Sequence, residues 1–506
     1  MLTGVLLLTK GCTALLPDRT PPVPETIRTC ARCLDRVDRM IVADGVGNSA
    51  ALRIEGFPYL RTNRFWHAIE AQLLTRDQTQ AWLEHMHRLD LEARRKEILN
   101  LPPTRLADWE DAAAHVRTRE DLLQQLTHCA QTLFAHHRYE TDLRYRVRRS
   151  TVIPDEYRTW RRLVGLYPLL SPPVALVTAN VYDDFRQWHA TPPDALPLQG
   201  RLVHWGPAPR HGAGNFKPQD LLARQRRDAL DIPRLTADER QRLAAYFAPV
   251  IAQDEADTFD RIGTPIWQQG HVRVATDHPT VYYYFSYGLL MERPMLQINY
   301  VFWYPRREGP NAPWIERGPL DGLTVRISID NRAQPYMLDL MNNCGCYHFF
   351  IPQRAAVKSI REIALAVDPL VPGWLPSDFP ANRLLLRVNS GWHQVQHVGA
   401  APASVVWREY RLAPYAELEM LPDEKGQPRS IFDADGIAHD SERIEPLIFF
   451  SMGIPAIGSM RQRGHHAIKL VGRAYFDDPL LFEQFFEFDR TYFELAPQTE
   501  TVADQN

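Results

Sequence analysis

The densest group of chemically versatile side chains in this sequence is Asn343-Cys344-Gly345-Cys346-Tyr347-His348. On an extended strand Cys344, Cys346 and His348 point to one face, and two thiolates with an imidazole suit zinc or another borderline-soft transition metal. Alternate side chains on a straight strand lie ~6–7 Å apart, so the three reach one ion only if the strand bends. Gly345 offers the place for a bulge that would bend it. A fourth ligand would come from His393, His397, His465 or His466. Two other readings fit the same residues. Cys344 and Cys346 could be buried small side chains with His348 capping a sheet edge, or the Cys-Gly-Cys pair could be active in thiol–disulfide exchange.

A second constellation runs from Ser459 through Arg461, Arg463, His465 and His466 to Asp477-Asp478-Pro479. Arginine, histidine and carboxylate together can hold an anion or a carbonyl group and move protons. Arg463, His465 and His466 are therefore the catalytic candidates of a metal-dependent enzyme, hydrolytic or oxidative, whose ion acts as Lewis acid or activates water. One of the two aspartates is expected to cap the helix that starts at Pro479. The sequence contains no nucleophile elbow, no His-Glu-x-x-His, no phosphate-binding loop and no dinucleotide fingerprint, and Gly212-Ala-Gly214 sits in a Pro-rich stretch, so no nucleotide cofactor is expected. The rival reading is non-catalytic. Aromatics make up 10% of the chain, with 12 Trp, and an aromatic sheet face can bind a planar or sugar-like small molecule or an envelope partner.

The chain begins with a short apolar run ending in Gly11-Cys12 and continues into a Pro-rich stretch through Pro24. This resembles the end of a bacterial lipoprotein signal. It implies that Cys12 carries lipid, with residues 1–24 as signal and tether. Lys10 departs from that pattern, and no positive charge precedes the apolar run. The expected location is the cell envelope, anchored on the periplasmic face, with the lipid as the sole membrane contact; the alternative is a cytoplasmic protein with a hydrophobic first strand. No other segment approaches the ~18–20 apolar residues of a membrane helix. In an oxidising compartment Cys30 and Cys33 could pair with each other or with Cys129. Cys129 itself lies in the helical stripe Leu122, Leu126, Leu133, which suits a buried structural thiol. With 58 Lys and Arg against 61 Asp and Glu, net charge −3, nothing draws the chain as a whole to nucleic acid. The basic run Arg144–Arg149 reads as a solvated helix face.

The elements that must position these residues fall in two styles. Residues 25–167 read as helical. Thr75-Arg-Asp-Gln78 is a capping box opening a helix that Pro102 and Pro103 close; Thr118 starts a helix to about His137, and a third begins near Pro154 and carries Trp160, Leu163 and Val164. Residues 168–235 are rich in proline and read as an irregular connection or a domain boundary. Thr236-Ala-Asp-Glu239 is a second capping box. Beyond residue 265 the apolar period drops to two: Leu296, Ile298, Tyr300 and Phe302 alternate with Gln297 and Asn299, and Leu323, Val325, Ile327 and Ile329 alternate with Thr324, Arg326 and Ser328. A turn at Asp330-Asn331 returns the chain as a partner strand over 337–350, and further strands are expected at 383–389 and 404–412. The fold class is α+β, helices first and then a largely antiparallel β-rich region over 236–495, with a frayed tail at 496–506.

Leu296-Gln-Ile-Asn-Tyr-Val-Phe-Trp-Tyr-Pro305, the Cys-Gly-Cys-Tyr-His segment and Gly464-His-His through Asp478-Pro479 together resemble a family of uncharacterised proteobacterial proteins, many with lipoprotein signals. The likeness spans most of residues 50–485. It implies an envelope location and no particular chemistry.

Overall fold

The computed structural model describes residues 23–107, 109, 116, 118–208, 216–361 and 368–494. Cys12, most of the signal-like segment, Gly212–Gly214 and the tail from 496 lie outside them. Helix makes up 36% and strand 25% of the protein, helices mainly in the first half and antiparallel-rich sheets in the second, so the fold is α+β.

The helical part is built on α1 (Glu25–Ala43), α2 (Arg64–Ile69), α3 (Arg76–Asn100) and α4 (Arg119–His137). Thr75 caps α3, its hydroxyl accepting from Gln78 N while Gln78 Oε1 accepts from Thr75 N. Leu34, Val37 and Ile41 of α1 and Leu122, Leu126 and Leu133 of α4 interlock in one core with Trp82, Leu83 and Met86 of α3. Cys30 and Cys129 are joined as a disulfide across α1 and α4. Cys129 is thus buried as its neighbours require, but as half of a crosslink rather than as a thiol.

Between residues 168 and 235 the structure departs from the irregular connection that the prolines suggest. A short helix α5 (Thr159–Val164) is followed by the long α6 (Tyr167–Ala190), which contains Pro168, Pro172 and Pro173. Pro168 falls in the first turn, where its missing N–H has no acceptor to lose. The other two cost helix hydrogen bonds, and the C-terminal end anchors the helix through Phe185, which packs against Phe349 and Tyr347 in the main core. A strand β1 (Arg201–Gly206) and a helix over Pro218–Arg224 complete this stretch. Thr236 then caps α7 (Ala237–Phe247) through a reciprocal bond with Glu239.

Two larger sheets form most of the rest, beside three two-stranded ribbons that pair Thr264–Gln268 with His271–Ala275, Val357–Ile360 with Phe486–Phe488, and Leu421–Pro422 with Pro428–Arg429. The first pairs β1 with β2 (Val250–Glu255), and adds β8 (Leu384–Val388), β9 (Val395–Ala400) and the edge strand β10 (Arg408–Glu409). The second is the platform of the functional site. Its strands β3 (Thr280–Leu290), β4 (Arg293–Arg307), β5 (Gly318–Ile329), β6 (Pro335–Asn342) and β7 (Phe349–Pro352) form an antiparallel meander, and β11 (Arg411–Pro414) joins β3 in parallel. The period of two sends Ile298, Tyr300, Val325, Ile327 and Leu338 to one face, where they meet α7 and the first sheet. The opposite face carries Ser286, Gln297, Asn299, Arg326, Ser328 and Asp339.

The Cys-Gly-Cys-Tyr-His segment is no strand. It is the turn between β6 and β7, and the bend expected at Gly345 reverses the chain. Gly345 has φ +91°, and a Cβ there would lie 2.5 Å from the Ala467 carbonyl oxygen, so only glycine fits.

Candidate functional site

Register assembles the polar sheet face into two rows. Tyr284 of β3 is opposite Asn299 of β4, which is opposite Arg326 of β5, which is opposite Asp339 of β6; beside them run Ser286, Gln297 and Ser328. The Asp339 carboxylate receives Arg326 at 2.9 and 2.6 Å and His348 Nε2 at 2.8 Å. Ser286 Oγ donates to Gln297 Oε1 at 2.9 Å, and Asn299 Nδ2 donates to Ser286 Oγ at 2.9 Å. This face is covered by the helical part on one side and the C-terminal segment on the other. Their meeting leaves a cleft of about 370 Å³, with the Ser286–Gln297–Asn299 row as floor and Phe65, Trp66, Tyr284, Tyr287 and Phe476 among its walls.

Each wall is fixed by local chemistry. Asn63 caps α2 by accepting from Trp66 N at 3.0 Å. Trp66 stacks on His85 at 4.3 Å, and His85 is held by Asp228 at 2.6 Å. Arg64 reaches Asp477 at 3.2 Å, bonds the Pro154 carbonyl at 2.7 Å and lies 3.7 Å over the Tyr475 ring. On the far wall Lys96 of α3 and Arg463 both grip Glu419, at 2.5 and 3.0 Å. Although Glu419 is fully buried, those two cations hold its carboxyl down to about 2.

Seven cationic side chains line the cleft, Arg64, Arg88, Lys96, Arg234, Arg240, Arg326 and Arg463, against the carboxylates Glu92 and Asp477. Arg64, Lys96, Arg326 and Arg463 are paired. Arg88, Arg234 and Arg240, exposed at the mouth, have no carboxylate partner among the described residues. Two acceptors inside have no hydrogen-bond partner in the protein, Asn299 Oδ1 and Asp477 Oδ1. Burial pushes the Asp477 carboxyl up to about 6 against the pull of Arg64 and His465.

The residues singled out from sequence scatter around this cleft. Arg463 lines it. His465 stands behind it: Nδ1 donates to Glu156 at 2.9 Å and Nε2 to the Ser49 carbonyl at 3.0 Å, so both nitrogens are protonated. Burial works against that charge, but Glu156 holds the imidazole above its ordinary range. His466 is neutral. Burial, with Arg461 and His465 nearby, pushes it down to about 3, and its Nε2 donates to the Asn343 carbonyl at 3.2 Å. Neither of the paired aspartates caps a helix: the helix begins at Leu481, two residues later than expected, with Leu480 at its cap position and no side-chain cap. Asp478 instead closes the preceding turn, accepting from Leu480 N at 3.0 Å, while Asp477 turns into the cleft.

The metal set expected from Cys344, Cys346 and His348 is not brought together. The hairpin turn sends His348 to Asp339 across the sheet, while Cys346 N donates to Cys344 Sγ at 3.4 Å. Cys344 is held below the usual thiol range by its hydrogen bond from Cys346, and Cys346 is raised well above it. Facing this pair, Glu445 is pushed up to about 8 by burial and the Cys344 charge. The fourth-ligand candidates His393 and His397 join no metal-holding cluster with Cys344 and Cys346 among the described residues. His393 lies between Asp321 and Asp260, at 2.8 and 3.2 Å, and His397 packs near the His189 ring, 6.3 Å away. Among the described residues, the group whose ligand atoms lie within 4.8 Å of one another is His136, His137 and Glu140, at the end of α4, where Arg146 pairs with Glu140.

Sequence reasoning overlooked Asn299, Arg326, Asp339, Arg88, Arg240 and Glu156. A signal for three of them was present: polar residues at every second position of the most apolar strands, on successive strands that pair. Comparison with protein-family models, curated proteins and solved structures gives no match.

Proposed function

We propose that this protein binds a hydroxylated anionic small molecule, of the sugar-acid or sugar-phosphate class, in the cleft between its helical part and the polar sheet face. One observation carries this reading: the cleft sets buried acceptors without partners, Asn299 Oδ1 and Asp477 Oδ1, below a mouth of unpaired arginines. Buried acceptors call for donors, which a ligand's hydroxyls supply, and unpaired guanidinium groups call for an anion. Aromatic walls suit the apolar faces of a sugar ring. A metal-dependent reaction at Cys344, Cys346 and His348 finds no support in this geometry, and the binding reading takes precedence over it.

Calorimetric titration of the full chain with sugar phosphates and uronic acids, against neutral sugars as controls, tests the proposal. At least one anionic member should bind, and Arg88→Ser with Arg240→Ser should weaken it more than about tenfold. Acidification has a defined sign. Below about 6 the Asp477 carboxyl gains a proton and the cleft loses a negative charge, so affinity for a uronic acid, whose own carboxylate stays ionised over this range, should rise as pH falls from 7.5 to 5.5. In Asp477→Asn that rise should vanish. Equal binding of neutral sugars, or indifference to both arginines, would sink the reading.

We place this binding activity in the envelope, on a chain lipidated at Cys12. The Cys30–Cys129 bond supports an oxidising compartment. Metabolic labelling with a fatty-acid analogue should tag the protein, and Cys12→Ser should remove the tag. Untagged full-length protein found in the cytoplasm alone would return the cytoplasmic reading to first place.

A further inference from the structure

Helix α6 wears its apolar stripe on the outside. Leu166, Leu169, Leu170, Pro173, Leu176 and Val177 recur at the helical spacing that marks one face, and all six are exposed. Ser171, Ala175 and Thr178, which turn toward the protein, are small and half-buried. From Tyr167 to Asp184 no residue of α6 is buried; only Phe185, near its end, is. The stripe continues onto α5, where Trp160 and Leu163 are exposed, and onto α8 (Glu445–Ile448), whose Leu447 is 80% exposed. Both α5 and α8 pack on the same turn, Phe450–Met452. Leu163 at 78%, Leu169 at 70% and Leu176 at 69% exposure form a concentration of bare leucine that a soluble surface does not carry without a function.

We propose that this arm docks in the interfacial layer of a membrane with anionic headgroups. Charge selects the occupant. The sequence has no Asp or Glu from Tyr157 to Tyr182, and no charged residue of either sign from Leu163 to Tyr182. Arg158 and Arg161 stand at its base, without a carboxylate partner among the described residues, while Arg162 is held by the Met452 and Gly472 carbonyls at 2.9 and 2.7 Å. Arginines beside an uncharged apolar stripe match a layer of acyl chains edged by phosphate, with Trp160 at the level where indoles favour the headgroup boundary. Length selects the orientation. From Leu166 to Val177 the helix rises about 17 Å, well short of a ~30 Å hydrocarbon core, and no described helix is long and apolar enough to cross a membrane. The arm therefore lies in the interface plane. An apolar arm lying in the interface would add a second point of attachment to the one at Cys12.

Cys12→Ser protein, which has no lipid of its own, separates this inference from lipidation and from the ligand proposal. It should co-sediment with vesicles containing phosphatidylglycerol and far less with phosphatidylcholine alone. Leu169→Glu with Leu176→Glu should cut vesicle binding more than about tenfold while leaving the melting temperature unchanged, since both side chains are exposed. High salt should weaken binding through the arginines. Absence of co-sedimentation, or co-sedimentation unaffected by the two glutamates, overturns the proposal. So does a dimer in light scattering that the same substitutions dissolve, because the stripe would then cover a second copy of this chain.

Discussion

Replacing His393 with alanine is expected to destabilise the protein by about 3–5 kcal/mol, the cost of removing one member of a buried charge network. The ring is fully buried, stacked 4.0 Å from Tyr304, and donates to Asp321 at 2.8 Å and Asp260 at 3.2 Å. Arg307 meets the same Asp321 carboxylate at 2.9 Å through two nitrogens. Without the imidazolium, Asp260 and Asp321 share a dry interior with one cation fewer. Burial favours neutral His393, yet the two aspartates hold its pKa above the ordinary value. A raised pKa contributes stability that is complete below the unfolded value and is lost as pH rises through the folded one. The gap between wild type and His393→Ala should therefore be widest in mildly acidic solution and shrink at alkaline pH. Urea unfolding at several pH values measures it. A gap below about 1 kcal/mol, the range of exposed pairs, would show that the network is not what fastens the sheets.

Arg61→Met should have an effect of the same size in the helical part. Arg61 is 1% exposed and binds Glu97 at 2.8 and 2.6 Å and Asp90 at 3.1 Å. Arg94 takes the rest of Asp90, at 2.9 and 3.2 Å. The substitution leaves Glu97, itself 1% exposed, with only the more distant Arg53 at 3.3 Å and a backbone N–H from Asn48. About 3–5 kcal/mol follows from stranding one buried charge. Pairing the substitution with Glu97→Leu should recover much of it, because an apolar pair removes the stranded charge. The acid limb has the opposite sign from that of His393. Glu97 is held at about 2 by Arg61 against its burial, so its contribution is full above the ordinary carboxylate pKa and drains away as pH falls toward 2. Full additivity in the double variant would falsify the idea of a coupled network. Because Arg61 immediately precedes Thr62, Asn63 and Arg64, loss of this anchor should also loosen the cleft wall.

What could be read in advance was local. Thr75 with Gln78 and Thr236 with Glu239 announce their helices, because a capping box needs only residues three apart. The alternation from Leu296 to Tyr304 announces β4 for the same reason. The segment around Pro172 was misleading: single-residue propensity is against a helix there, and the anchoring by Phe185 that sustains α6 lies well beyond those prolines. The cleft was harder still. Arg326 is an unremarkable polar position until register puts it opposite Asp339, and His465 resembles a catalyst until Glu156, over 300 residues earlier, occupies its ring. Cys344, Cys346 and His348 illustrate the converse. Closeness in sequence suggested a shared metal ion, and a hairpin turn kept the two cysteines together but sent His348 to Asp339.

The clamp at His465 also has consequences for synthesis. Ser49 is bound twice from the far end of the chain, its carbonyl by His465 and its hydroxyl to Gln462 at 2.6 Å, across 413 residues. Lys96 likewise waits for Glu419, 323 residues later. On the ribosome the amino-terminal helices can collapse as soon as they emerge, but they then present Lys96 and the bare flank of α3 to solvent until almost the whole polypeptide has been made. Closing so wide a loop is entropically slow. The ligand proposed for the cleft would have no complete site on a nascent or prematurely terminated chain, so its binding would stabilise only finished molecules.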